Sequence, residues 1–250
     1  MKNHITAAYF SPTGGTKRAI EQLCSCWDGE KTFVELGGAN RRPEVTLGSE
    51  DLLVLALPVY ADTIPEVEGL LDGLHGSDTP CVVAATYGNC KYADALAQMK
   101  KLLNDRGFRC AADAAIVTPH VFAPTLGANR PDEEDMEVLK VFAAKVEEKL
   151  AQPQWEEAEL PGNPEPKFRR IKPVEKMRDW DICLGCAFCS YVCPTGALDK
   201  QTLMWDDSKC ISCMTCVSRC PNGALGYNSS MIASKLTERF SERRPIETFI

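Results

Sequence analysis

Eight of the 13 cysteines in this chain fall into two runs of one spacing, Cys183-x-x-Cys186-x-x-Cys189-x-x-x-Cys193-Pro194 and Cys210-x-x-Cys213-x-x-Cys216-x-x-x-Cys220-Pro221. Three cysteines separated by residue pairs lie on one tight loop that can wrap three corners of a cubane, while the fourth must come from elsewhere. This is the bacterial spacing for thiolate-held iron–sulfur clusters. The runs are offset by 27 residues throughout and each continues into Gly-Ala-Leu, at Gly196 to Leu198 and Gly223 to Leu225. Such self-similarity marks an internal duplication and predicts two 4Fe-4S clusters related by pseudo-symmetry.

In two-cluster ferredoxins the last cysteine of each run ligates the other cluster. That rule assigns Cys183, Cys186, Cys189 and Cys220 to one cluster and Cys210, Cys213, Cys216 and Cys193 to the other. Pro194 and Pro221 end the preceding turn by removing a donor and fixing φ. Ile182, Leu184, Val192, Ile211 and Val217 are expected to shield the sulfurs. Zinc is the structural alternative, but zinc modules use two separated pairs without a triple run closed by Cys-Pro. A disulfide framework is not expected either. Met1 to Phe10 has Lys2 but no apolar core or cleavage site of a signal peptide, so the chain is expected to stay in a reducing cytoplasm.

At the other end, the apolar run Ile5 to Phe10 leads into Ser11-Pro12-Thr13-Gly14-Gly15-Thr16 and then a helical pattern from Lys17. A strand, a hydroxyl-rich glycine turn and a helix in that order present backbone N–H groups at a helix N-terminus, where the dipole favours an anion. Ser11, Thr13 and Thr16 add hydroxyls. A Walker loop is excluded, because Lys17 follows Thr16 instead of preceding it. The hexapeptide also reads as an ordinary strand-to-helix connection.

Further strands are expected at Lys31 to Leu36, Asp51 to Val59, Pro80 to Gly88 and Cys110 to Thr118, alternating with helices near Pro65 to Asp72, Lys91 to Arg106 and Asp132 to Ala151. The third and fourth strands are continuously apolar, as when helices cover both faces of a parallel sheet, and five units suit the doubly wound order 2-1-3-4-5. The ligand then lies beyond the carboxyl ends of the first, third and fourth strands. Those ends read Ser11 to Thr16, Pro58-Val59-Tyr60 and Thr86-Tyr87-Gly88-Asn89.

With these loops, Pro65, Tyr92, His120, Arg130-Pro-Asp132 and the doubled cysteine runs, the chain resembles the bacterial flavodoxin–ferredoxin fusion proteins. The resemblance implies an α/β fold: a flavodoxin-like doubly wound parallel five-stranded sheet, with a small C-terminal α+β ferredoxin-like two-cluster domain. It implies that Ser11 to Thr16 bind the FMN 5′-phosphate, while Pro58 to Tyr60 and Thr86 to Asn89 flank the isoalloxazine. Where the family leads us to expect arginine after Tyr-Gly-Asn the chain has Cys90, and Val121 follows His120 in place of serine. Tyr60 and Tyr87 also read as half-buried aromatics at strand ends.

The long connection Pro119 to Pro131 lies at the ligand end. As a lid it would place Phe122 over the ring and His120 as a proton donor; the alternative is a solvated loop histidine. Cys24, Cys26, Cys81 and Cys110 read as small buried hydrophobes, and Cys90 as packing or as a thiol touching the flavin.

The expected division is a flavodoxin-like domain over residues 1–151, a proline-rich linker over 152–175, a cluster domain over 176–227 and a helical tail over 228–250. Within the linker region Lys167, Arg169, Arg170 and Lys172 read as a solvated charge run or as contacts to an acidic surface or a phosphate. Ser230 is expected to cap a tail helix whose Ile232, Leu236 and Phe240 dock back onto the protein. No run suits membrane insertion, and the net charge of -7 disfavours nucleic acid. The expected partner is a redox protein or a small-molecule electron acceptor, with electrons passing between the clusters and FMN. An FMN-dependent reductase fed through the clusters is the alternative.

Overall fold

The computed structural model describes residues 4–37, 43–167 and 172–250. Arg169 and Arg170 of the linker charge run lie outside the described residues, as does Lys2. In chain order the larger unit contains β1 (His4–Tyr9), α1 (Gly15–Cys24), β2 (Glu30–Glu35), β3 (Val45–Leu47), β4 (Leu52–Pro58), β5 (Leu74–Gly76), β6 (Thr79–Tyr87), α2 (Ala95–Asn104), β7 (Phe108–Val117) and α3 (Glu133–Leu150). The smaller unit contains β8 (Lys176–Arg178), α4 (Phe188–Tyr191), α5 (Thr215–Ser218) and β9 (Leu225–Tyr227). The chain ends in α6 (Ser230–Phe240) and β10 (Glu247–Phe249).

The main sheet runs β2-β1-β4-β6-β7-β10. Its first five members are mutually parallel, so the parallel part has the order 2-1-3-4-5. The expected five strands become six, because β10 adds antiparallel to β7, with Glu247 opposite Ala115 and Phe249 opposite Asp113. Pattern reading could not reveal β10: three residues at an edge carry too little periodicity. A second, two-stranded parallel sheet of β3 and β5 was also not foreseen.

Every residue of β4 from Leu52 to Leu57 is buried, because helices cover both faces. On one face, α1 and α3 contribute Ala19, Ile20, Leu23, Leu139, Phe142 and Val146 to a core with Ile5, Ala7 and Val54. On the other, α2 contributes Leu96, Met99 and Leu103 against Leu53, Leu55 and Val83. Helix α3 starts at a reciprocal capping box, in which Asp132 accepts from the Asp135 N–H and Asp135 accepts from the Asp132 N–H.

The helix expected near Pro65 to Asp72 is replaced by turns. Gly69 sits at φ 66 there, a left-handed conformation that interrupts a helix. Arg106 then holds the segment by donating to the Leu71 carbonyl at 3.0 Å and to Asp72.

The tail differs from the expected helix over 228–250 in three ways. It is helical only over α6 and then extended. Its N-cap is Ser229, and Asn228 Oδ1 accepts the Ser230 N–H. None of its helical residues is buried, so Ile232, Leu236 and Phe240 do not dock. The tail is attached beyond α6 instead, by the pairing of β10, by hydrogen bonds to Asn89, and by Ile246 and Phe249, which pack into the two cores of the larger unit.

Candidate functional site

The duplication is visible in the backbone of the smaller unit. Helices α4 and α5 occupy equivalent positions, as do three pairs of left-handed residues: Gly185 and Ser212, Ala187 and Met214, Gly196 and Gly223. These positive φ values turn the chain around each cysteine run. The same operation relates the Arg178–Leu225 pair of β8 and β9 to the Leu198–Trp205 bridge. The module's own apolar core is small, with Leu198, Leu203 and Leu225 around Cys189 and with Trp205 and Val217 packed against them. Such a core needs a metal centre to complete it.

All 13 cysteines are free thiols. Several of the eight ligand candidates receive donors from the chain: the Ala197 N–H reaches Cys193 Sγ at 3.3 Å, the Ser212 N–H reaches Cys210 Sγ at 3.4 Å, and Arg178 Nη1 reaches Cys183 Sγ at 3.2 Å. The Gly185 N–H and Arg178 hold the Cys183 pKa below the ordinary thiol value. Burial pushes Cys213 up to about 12, and the neighbouring Cys193 and Cys216 add to that. Burial raises the Cys216 pKa, and Cys193 adds to that. Cys193, the last cysteine of the first run, is thus close enough to Cys213 and Cys216 to act on both.

Among the described residues two buried donors lack a hydrogen bond of ordinary geometry, Arg178 Nε and Trp205 Nε1. They lie at equivalent positions of the duplication, and the Trp205 N–H faces Cys216 and lowers its pKa. Unpaired buried donors are costly unless something accepts from them, and the sulfurs of an anionic iron–sulfur cluster are such acceptors. Among the described residues no three His, Cys, Asp or Glu side chains are gathered as around one metal ion. A cubane held at its corners does not ask for that gathering. The residues fit iron–sulfur clusters in donor chemistry.

The expected shield is corrected in part. Ile182 and Leu184 are exposed, while Ile211 packs against the core of the larger unit. The expected Val217 does pack around the sulfurs, together with Leu198, Leu203, Leu225 and Trp205.

In the turn after β1, Ser11 Oγ accepts the Lys17 N–H at 2.9 Å, and the Thr16 and Thr86 hydroxyls bond at 2.7 Å. Those two hydroxyls therefore tie the turn to α1 and β6. Thr13 and Gly14 are exposed. Gly14 stands at φ 90 with open space where a Cβ would project, and no side chain caps α1. With the Lys17 N–H taken by Ser11, the Gly15 and Thr16 N–H groups are left to an external acceptor, and they fit a phosphate.

Beyond β4, Pro58, Val59 and Tyr60 are half-buried. Tyr60 and Thr63 exchange both backbone hydrogen bonds around Ala61 at φ 48 and Asp62 at φ 82. Two non-glycine residues in left-handed geometry make a strained turn. Burial, and then the Cys213 and Cys210 sulfurs, push the Tyr60 hydroxyl pKa well above its ordinary value. Tyr60 therefore lies beside the second cysteine run.

Tyr87 does not present an open ring. It is buried, meets Tyr92 edge-on at 5.6 Å and donates to the Pro245 carbonyl at 3.4 Å. Thr86 is buried as well. Asn89 is buried at φ 59, and its amide donates to the Phe240 and Glu242 carbonyls while its oxygen accepts the Arg244 N–H. The loop expected to flank a ring is held by the C-terminal segment. Nothing in a linear pattern could have paired Asn89 with residues more than 150 positions away.

His120 packs directly on Gly88, where an added Cβ would come within 2.4 Å of its ring. Burial holds its pKa below the ordinary value, and Nδ1 accepts the Phe122 N–H at 3.0 Å. The neutral ring then carries its proton on Nε2. Phe122 packs between His120 and Tyr227, each ring pair at 5.9 Å. The Tyr227 hydroxyl donates to the Val121 carbonyl at 2.6 Å, and Arg130 binds Asp135 and the Arg244 carbonyl. The connection from Pro119 to Pro131 is thus fastened at both ends by later parts of the chain. Cys90 is half-buried, with its pKa raised chiefly by burial, which opposes a reactive thiolate.

The smaller unit touches the phosphate-binding candidate itself. Ser218 Oγ donates to the Pro12 carbonyl at 2.9 Å, and Arg219 pairs with Glu35 at the end of β2. Neither residue was singled out from the sequence, since neither belongs to a motif. Arg178 and Trp205 could have been found by carrying the 27-residue offset upstream of the cysteines.

No helix among the described residues is long and apolar enough to cross a membrane. No curated protein matches the chain. Among solved structures it is similar to a putative flavoprotein from Bacteroides eggerthii, at 20% identity over 56% of this chain and 98% of that one, with a TM-score of 0.37. It is similar also to a short-chain flavodoxin associated with a non-canonical PDU bacterial microcompartment, at 17% identity over 59% and 99%, with a TM-score of 0.42. A Streptococcus pneumonia flavodoxin gives 17% identity over 58% and 99%, with a TM-score of 0.41. Residues 175–222 match the family described as 4Fe-4S dicluster domain, and in this chain they follow a parallel sheet of the order 2-1-3-4-5.

Proposed function

We propose that the chain binds FMN and two 4Fe-4S clusters and relays single electrons between a redox partner and the flavin. The observation that carries this reading is the seating of the second cysteine run on the flavin-binding candidate, with Cys210 and Cys213 beside Tyr60 and Ser218 on Pro12. Clusters supply one-electron transfer, and a flavin can take one or two electrons. The protein's part is to hold both at short range. The uncapped start of α1 with Thr13 and Gly14 would receive the phosphate, Tyr60 would lie along the ring, and Asn89 would keep its loop closed through the C-terminal segment.

His120 supports a second reading, an FMN-dependent reductase of a small organic substrate fed through the clusters. It sits on Gly88 of the candidate ring loop with an Nε2 proton to offer as a hydrogen bond. Its lowered pKa makes it a weak reservoir of protons at neutral pH, so the relay is the better supported of the two.

Anaerobic reconstitution should give about eight iron and eight sulfide per chain, with one FMN. Rapid mixing with reduced methyl viologen, following cluster and flavin absorbance separately in time, should show electrons entering the clusters before they reach the flavin. A Cys210→Ser, Cys213→Ser variant that still reduces its flavin at the original rate would overturn the relay.

A further inference from the structure

The duplicated module uses one face to meet the larger unit and leaves the equivalent face uncovered. Ser218 bonds Pro12; its counterpart 27 residues earlier, Tyr191, is 58% exposed. Ile211 packs against the core of the larger unit, whereas its counterpart Leu184 is 73% exposed. Thr215 is buried and Phe188 exposed, and Cys213 is buried and Cys186 exposed. Trp180, at 60% exposure, and Ile182 extend the same apolar surface. Large exposed apolar patches on soluble proteins mark contact sites. This one surrounds the first cysteine run as the larger unit surrounds the second.

The charge carried by this stretch of chain is acidic, and the neighbouring cation is Arg178, whose guanidinium lies 5.1 Å from the Trp180 ring centroid. From position 179 to position 198 the only ionisable side chains apart from the cysteines and Tyr191 are Asp179 and Asp181, both exposed. Arg178 is already engaged with Cys183 Sγ and the Leu203 carbonyl. We infer that the face formed by Trp180, Ile182, Leu184, Phe188 and Tyr191 docks a one-electron carrier protein whose redox centre lies in an apolar surface rimmed by Lys and Arg. The inference rests on the relay reading and supplies the partner at its outer end. Each encounter moves one electron: the donor centre is oxidised by one, the acceptor reduced by one, and no bond or proton is exchanged.

Cytochrome c, a basic one-electron protein, is a suitable probe. The full reconstituted chain, reduced and freed of excess dithionite, is mixed with ferric cytochrome c and separately with ferricyanide. Leu184→Gln with Tyr191→Gln is expected to slow cytochrome c reduction about tenfold. Asp179→Asn with Asp181→Asn should slow it at low salt and flatten its salt dependence. Ferricyanide reduction and iron content should be unchanged in both. Carbodiimide cross-linking of the oxidised proteins, which needs no turnover, should join Asp179 or Asp181 to cytochrome c lysines. Equal cytochrome c rates in all variants, or cross-links confined to other carboxylates, would overturn the docking face. So would a dimer in sedimentation that the Leu184→Gln, Tyr191→Gln variant abolishes, because the occupant would then be a second copy. Failure of the relay itself looks different: clusters that cycle while bound FMN stays oxidised in every variant.

Discussion

The Arg178 guanidinium carbon lies 5.1 Å from the centroid of the Trp205 ring, so the two residues related by the duplication touch each other while serving different cysteine runs. One brings a positive charge to Cys183 and Cys189, the other a neutral N–H to Cys216. Cluster potentials respond to net charge and to hydrogen bonds at sulfur. The first cluster should therefore be the easier of the two to reduce.

Arg178→Gln should lower the potential of the first cluster by tens of millivolts, where about 59 mV is a tenfold change for a one-electron couple. Trp205→Phe, which removes only a neutral donor, should shift the second cluster less. A redox titration monitored by electron paramagnetic resonance separates the two signals; equal shifts in both clusters for Arg178→Gln would refute the asymmetry.

Gly14→Ala meets no neighbour, so its effect isolates backbone conformation. An alanine at φ 90 costs about 1–2 kcal/mol, and FMN affinity should fall roughly tenfold while iron content is retained. Thr13→Ala should weaken FMN in the same direction. Flavin fluorescence on dilution reads both, and undiminished affinity in both variants would remove the phosphate assignment.

Asn89→Ala removes three hydrogen bonds to the C-terminal segment, worth about 2–3 kcal/mol together. We expect faster FMN release and faster amide exchange in residues 240–249, although the substitution lies about 150 positions away in sequence. Exchange unchanged in that segment would show that β10 pairing alone secures the tail.

Asp113 is fully buried, accepts a hydrogen bond from Cys110 Sγ at 3.1 Å through Oδ2, and leaves Oδ1 without a partner. Burial raises its pKa to about 7. A raised carboxyl pKa means that the folded state holds the proton more tightly than the unfolded chain does. Its favourable contribution is complete below the unfolded value near 3.9, declines as pH rises and is gone above about 7. Asp113→Asn cannot titrate. Its unfolding free energy should therefore gain on that of the parent protein between pH 5 and pH 8, by an amount on the order of a few kcal/mol at most, read from the thermal midpoints at each pH; a difference independent of pH would contradict the buried-acid assignment.

What the amino-acid order determined alone were features that repeat locally. Cysteine spacing, the 27-residue duplication, the strand-glycine-helix turn at Ser11 to Thr16 and the apolar strands β4 and β6 each depend on neighbours within a few residues, so periodicity and side-chain chemistry expose them. The tertiary structure decided which surfaces meet. The sixth strand, the capture of Asn89 by Phe240, Glu242 and Arg244, the burial of Tyr87, and the placing of Ser218 on Pro12 are contacts between distant positions. They are chosen by shape and by the need to satisfy buried backbone groups, and no short window of sequence records them. The two cysteine runs illustrate the difference best: identical in spacing, they part in exposure because only one of them found the larger unit to cover it.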